Sequence, residues 1–72
     1  MTREEKIEII AEILEVDIDD VKDDMFLEEF ETWDSVAVLS VIAMMDEKFG
    51  KYPHASEIRQ YIKVSDLMDH ME

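Results

Sequence analysis

The sequence predicts an all-α fold: a small four-helix bundle of three longer helices and one short helix, with a long loop between the first and second. Three observations predict it. One glycine and one proline in 72 residues leave little material for hairpin turns. No strict apolar/polar alternation persists beyond a few positions, so strands are not expected. Apolar residues instead recur at i, i+3, i+4 and i+7, the mark of helices with a buried face. With 47% apolar residues, the composition is that of a globular chain rather than a disordered one. A chain of this length is expected to form a single domain over residues 1–72, whose core supplies no more than about 5 kcal/mol of net stability.

The first helix opens on Thr2 and Glu5, which stand at capping-box spacing. Ile7, Ile10, Ala11 and Leu14 then form its apolar stripe, widened by Ile9 and Ile13, while Glu4, Glu8, Glu12 and Glu15 fall on the far side. Residues 16–33 lose this period but keep spaced apolar residues. Val16, Ile18, Val21, Met25, Phe26 and Phe30 are expected to pin a long loop to the core, and a connection of that length tends to be functional or to hold a short helical turn. The second helix is expected over Ser35–Phe49, ending at Gly50, whose φ freedom suits a helix C-terminus. Pro53 prevents its continuation. A short helix at Ala55–Tyr61 and a last one at Ser65–Met71 complete the bundle, with Ile58, Tyr61, Ile62, Val64, Leu67, Met68 and Met71 as their apolar residues.

Charge and composition remove several classes of function. Twenty Asp+Glu against seven Lys+Arg give a net charge of -13, which repels nucleic acid and anionic membrane surfaces. The absence of cysteine removes disulfides, thiolate metal sites and a cysteine nucleophile. The first residues carry acids directly behind the basic residue Arg3 and no apolar run, unlike a secretory signal. The longest apolar stretch, Val36 to Met45, is about half of what a membrane crossing needs. A soluble cytoplasmic protein without membrane insertion is the expectation.

The second helix carries two apolar faces. At 100° per residue, Ala37, Val38, Val41, Ile42, Met44, Met45 and Phe49 occupy a wide arc that must be buried. Val36, Leu39, Ser40, Ala43 and Glu47 follow a second strip on the opposite side. Either the helix is buried nearly all round, or Val36 and Leu39 face water in a strip that docks a partner. Asp34 and Ser35 stand where the loop meets this helix. Unpaired backbone N–H groups there favour a negative group, so a phosphate on Ser35 would be well placed, yet Asp and Ser are also ordinary N-caps that need no further role.

Taken together, the runs AEILEVDIDDV, FLEEFETWDSVAVLSVIAMMDEKFG and KVSDLMDHM make the chain resemble the acyl carrier proteins and related peptidyl carrier domains over nearly its whole length. The resemblance implies a non-catalytic, free-standing, monomeric carrier. In that family the serine of the Asp-Ser motif receives 4′-phosphopantetheine from coenzyme A, and the thiol of this arm holds the cargo as a thioester. Ser35 is the matching position, and Asp34 would help a phosphopantetheinyl transferase orient it. Val36, Leu39, Ala43 and Glu47 match the helix face gripped by partner enzymes, which implies acyl- or aminoacyl-loading and downstream enzymes with basic docking surfaces. The run Phe30-Glu31-Thr32-Trp33-Asp34-Ser35-Val36 resembles specialised and aminoacyl carriers more than housekeeping fatty-acid carriers. The latter commonly place acids where Ala37, Ser40 and Lys48 stand.

Other classes of function set different demands. Asp17, Asp19, Asp23 and Glu28 fit positions 1, 3, 7 and 12 of a calcium-loop template, but Val21 and Lys22 take positions 5 and 6, where the loop needs a ligand and a glycine. An acidic calcium-binding or protein-interaction module that is never modified is the alternative reading. A decoy mimicking nucleic acid would gather its acids on one face, whereas here they spread over both long helices and the loop. A hydrolase would need a base beside Ser35, and neither His54 nor His70 has triad spacing. Trp33 is read as an aromatic closing the loop onto the core, and Met25, Met44, Met45, Met68 and Met71 as adaptable core filling.

Overall fold

The computed structural model describes residues 1–72 and contains helices and turns without strands. α1 spans Arg3–Leu14, α2 Ser35–Phe49, α3 Ala55–Ile58 and α4 Val64–Asp69, with two 3₁₀ turns, Ile18–Asp20 and Leu27–Glu29, in the loop between α1 and α2. The expected all-α bundle with a long first loop is therefore present. Its helices divide into two long and two short rather than three longer and one short.

α1 starts where the capping box places it. The Glu5 amide donates to Thr2 Oγ1 at 3.2 Å and the Thr2 amide to Glu5 Oε1 at 3.3 Å, which satisfies donors that lack a partner within the helix. Ile7, Ile10, Ala11 and Leu14 are buried, Ile9 and Ile13 half-buried, and the four expected glutamates exposed. The helix closes on Glu15, whose φ of 59° is left-handed and whose N–H reaches Ala11 O and Glu12 O. A residue with a Cβ is strained in this region, where glycine is the usual occupant.

The loop is held through its backbone as well as its side chains. Leu27 N donates to Ile62 O at 2.8 Å, Val64 N to Met25 O at 2.9 Å, and Ser65 N to Asp23 O at 3.0 Å, forming an antiparallel bridge between Phe26 and Lys63. This pairing corrects the expected anchors. Val21 and Phe30 are buried, and Val16 and Met25 are half-buried, but Ile18 and Phe26 are exposed and Leu27 is buried instead. The bridge and the turn after it direct Leu27 inward. The Phe26 ring lies outside, with Lys63 Nζ 5.6 Å from its centroid.

α2 keeps the expected bounds, from the Asp34 cap to Gly50, whose φ of 65° ends it with hydrogen bonds from Gly50 N to Asp46 O and Lys51 N to Met45 O. The short helices end earlier than their apolar pattern suggests. Gln60 N and Tyr61 N bond three residues back, to Glu57 O and Ile58 O, and this tighter turn stops α3 at Ile58. α4 begins at Val64, one residue before the expected start, because the Asp66 carboxylate accepts from Ile62 N at 3.0 Å and Lys63 N at 2.9 Å. Met71 lies beyond α4, yet it is fully buried and closes the core. All 17 buried residues are apolar and form one cluster.

Three outcomes follow from this packing. Leu14→Ala lowers unfolding free energy by about 2–5 kcal/mol, comparable to the whole stability of so small a core, and urea unfolding followed by circular dichroism reads it. Glu15→Gly raises stability by about 1 kcal/mol in the same assay by relieving the left-handed strain. The hydrogen bonds from Lys63 and Ile62 hold the Asp66 carboxyl below the usual carboxylate range. Its contribution is therefore complete above the unfolded pKa of about 4 and is lost as pH falls through the lowered folded value. The margin in thermal midpoint between the native chain and Asp66→Asn is expected to narrow steadily below pH ~4.

Candidate functional site

The start of α2 is built by a sequence of local bonds. Trp33 N donates to Phe30 O and Asp34 N to Thr32 O, each at 3.0 Å, so the chain turns sharply before the helix. Trp33 is half-buried and packs against the core, as expected for an aromatic that closes the loop. Asp34 stands in extended conformation, and its Oδ1 accepts from Ala37 N at 3.0 Å, while its carbonyl accepts from Val38 N at 3.0 Å. The cap thus uses one carboxylate oxygen and satisfies the amide of Ala37. The amides of Ser35 and Val36 keep no partner within the chain.

Ser35 is the first residue of α2 and is exposed. Its Oγ accepts from Arg59 Nη2 at 3.4 Å. Arg59 is not singled out by the sequence, since 24 residues separate it from Ser35 and no local period connects them. The only signal is its being a cation in a strongly acidic chain. An arginine stays protonated in proteins and cannot take the serine proton as a base.

The outward strip of α2 lies in solvent: Val36 is 69% and Leu39 63% exposed, and Ala43 and Glu47 are exposed as well. Ser40 departs from the strip and is half-buried. With Ile13, Glu15, Thr32, Asp34, Val36 and Ala37 it lines a cleft of about 220 Å³ between α1 and α2. The Thr32 hydroxyl in this lining is buried without a hydrogen-bond partner. On the opposite face Ala37, Val38, Val41, Met44 and Met45 are buried, with Ile42 and Phe49 half-buried. α2 is thus a helix of two environments, not one buried all round.

The residues of the rival readings are engaged elsewhere. His54 precedes α3 and is exposed, whereas the His70 ring stacks on Tyr61 with centroids 4.7 Å apart and places Nδ1 2.8 Å from Asp66 O. Of the calcium-template positions, Val21 is in the core and Asp23 pairs with Arg3 at 3.1 Å. No group of three or more His, Cys, Asp or Glu side chains is placed to hold a metal ion, and no helix is long and apolar enough to cross a membrane.

What this end of the bundle offers is an exposed hydroxyl on a capped helix beside an exposed apolar strip. The family model for the phosphopantetheine attachment site matches residues 7–71, and the chain belongs to that family. No curated protein and no solved structure matches it. Members carry a covalently attached 4′-phosphopantetheine and act as carriers rather than catalysts, so the chain is a carrier protein and not an enzyme. The start of α2 fits such a group, with the exposed Ser35 hydroxyl, two unpartnered amides and the Arg59 guanidinium close together.

The cap gives Asp34 a measurable share in stability. Asp34→Ala is expected to cost about 1 kcal/mol of stability, and Asp34→Asn far less because an amide oxygen caps nearly as well. Urea unfolding of the two variants reads the difference.

Proposed function

We propose that the protein is an acyl carrier protein whose 4′-phosphopantetheine arm is attached to Ser35. It holds acyl or aminoacyl intermediates as thioesters and presents them to the enzymes of a specialised lipid, polyketide or peptide pathway. The observation that carries this reading is the exposed Ser35 as first residue of α2, directly after the capping Asp34. The arm supplies the thiol that a chain without cysteine lacks.

The chain's own residues position and present. Asp34 fixes the first turn of α2, so Ser35 leaves a rigid helix rather than a mobile loop, and its carboxylate is the group a transferase and its metal ion would engage. Val36, Leu39, Ala43 and Glu47 form the surface that partner enzymes grip, with two aliphatic side chains to fill pockets and an acid at the far end. The net charge of -13 steers the carrier toward basic docking surfaces and away from nucleic acid. Residues 1–72 act as one monomeric carrier domain in the cytoplasm.

Incubation with a broad-specificity phosphopantetheinyl transferase, magnesium and coenzyme A, followed by intact mass, tests the reading. The native chain is expected to gain one 4′-phosphopantetheinyl unit and Ser35→Ala none. A folded native chain that gains nothing, or a gain retained in Ser35→Ala, contradicts it. Leu39→Asp is expected to keep the fold by circular dichroism and to lower the transferase kcat/KM by about tenfold, because it replaces an exposed aliphatic anchor with a charge.

A further inference from the structure

Arg59 spends its charge in an unusual place. Twenty acidic side chains surround seven cations in this sequence, yet the Arg59 guanidinium reaches a neutral hydroxyl, Ser35 Oγ, at 3.4 Å. That distance is at the long end for a hydrogen bond, so the contact contributes little to the unmodified chain. The one ion pair in the molecule joins Arg3 and Asp23.

The other cations lie elsewhere. Lys6 Nζ donates to Met68 O and Lys51 Nζ to His70 O, each at 3.2 Å, and Lys63 Nζ lies over the Phe26 ring. Lys22 lines a cleft against the first turns of α1 together with Arg3 and Glu4. Lys48 sits in the last turn of α2, on the order of 20 Å along the helix from Ser35. Arg59 is the cation that α3 delivers to the start of α2.

We propose that Arg59 is a positioning residue for the prosthetic arm. Once Ser35 carries a phosphodiester, the guanidinium pairs with its anionic oxygen, ties α3 to the start of α2, and fixes the direction in which the arm leaves the protein. The inference rests on the reading of Ser35 as the attachment point. A planar guanidinium suits this role because it can give two parallel N–H donors to one phosphate, and a bond to an anion is about twice as strong as one to a neutral hydroxyl. Modification therefore converts a marginal contact between two helices into a charge-assisted one. α3 has only four residues and no side-chain cap, so a tether adds to a helix with few hydrogen bonds of its own.

Thermal unfolding of unmodified and fully modified protein tests this in the native chain, Arg59→Gln and Lys48→Gln, at low and high salt, with intact mass confirming the modification. Modification is expected to raise the midpoint of the native chain and of Lys48→Gln by on the order of 3 °C more than that of Arg59→Gln. The excess shrinks in high salt because the pair is exposed. Equal gains in all three fully modified chains overturn the role of Arg59 and leave Ser35 as the attachment point. A native chain that gains no mass at Ser35 overturns both. If Arg59→Gln resists the transferase, the Arg59 guanidinium resonances of the native chain decide. A shift and slowed rotation on modification support the pairing, and unchanged resonances overturn it.

Discussion

The division of α2 into a buried face and a solvated face is the constraint on which the rest of the structure depends. Ala37, Val38, Val41, Met44 and Met45 supply nearly a third of the 17 buried residues, so without this face there is no core. Covering the opposite face as well would bury Val36 and Leu39 and remove the surface that the carrier reading requires. The remaining elements meet the first demand without intruding on the second. α1 lays its isoleucine and leucine stripe against the core, while Leu27, Val21 and Phe30 bring the loop in from the side. Two short helices suffice for the rest because the loop bonds directly to the segment between them.

Charge acts on this frame from outside. All the fully buried residues are apolar, and the acids lie at the surface, where their mutual repulsion works against a small domain. Only one of them is neutralised by an ion pair, between exposed side chains of the kind that contribute little to stability. The acidity is therefore poorly explained as a device for holding the fold. It suits the proposed docking to basic partner surfaces, since long-range attraction acts on encounter rate and orientation more than on final affinity.

Legibility in the sequence followed the range of the interactions. α1 and α2 were readable because their signals are local: Thr2 with Glu5, Asp34 with Ser35, Gly50 after Phe49, and an apolar stripe repeated over several turns. The Asp34 cap and the exposure of Ser35, Val36, Leu39, Ala43 and Glu47 were readable for the same reason, since all lie within a few turns of one helix. The loop anchor and the lengths of α3 and α4 depend on contacts between residues far apart in the chain. Nothing near Phe26 signals that Met25 and Leu27 will bond to Val64 and Ile62, so the more hydrophobic-looking aromatic stood in for Leu27. Arg59 was invisible for the same reason, because its meeting with Ser35 exists only after α3 has folded against α2.

The measurement that tests the account most directly is localisation of the arm by fragmentation mass spectrometry on the modified, folded native chain. The protein has five other serine and threonine hydroxyls, on Thr2, Thr32, Ser40, Ser56 and Ser65. The account predicts that every fragment retaining the phosphopantetheinyl mass contains Ser35 and that no fragment lacking Ser35 carries it. A fragment without Ser35 that bears the arm would show that the capped start of α2 is not where this carrier is loaded.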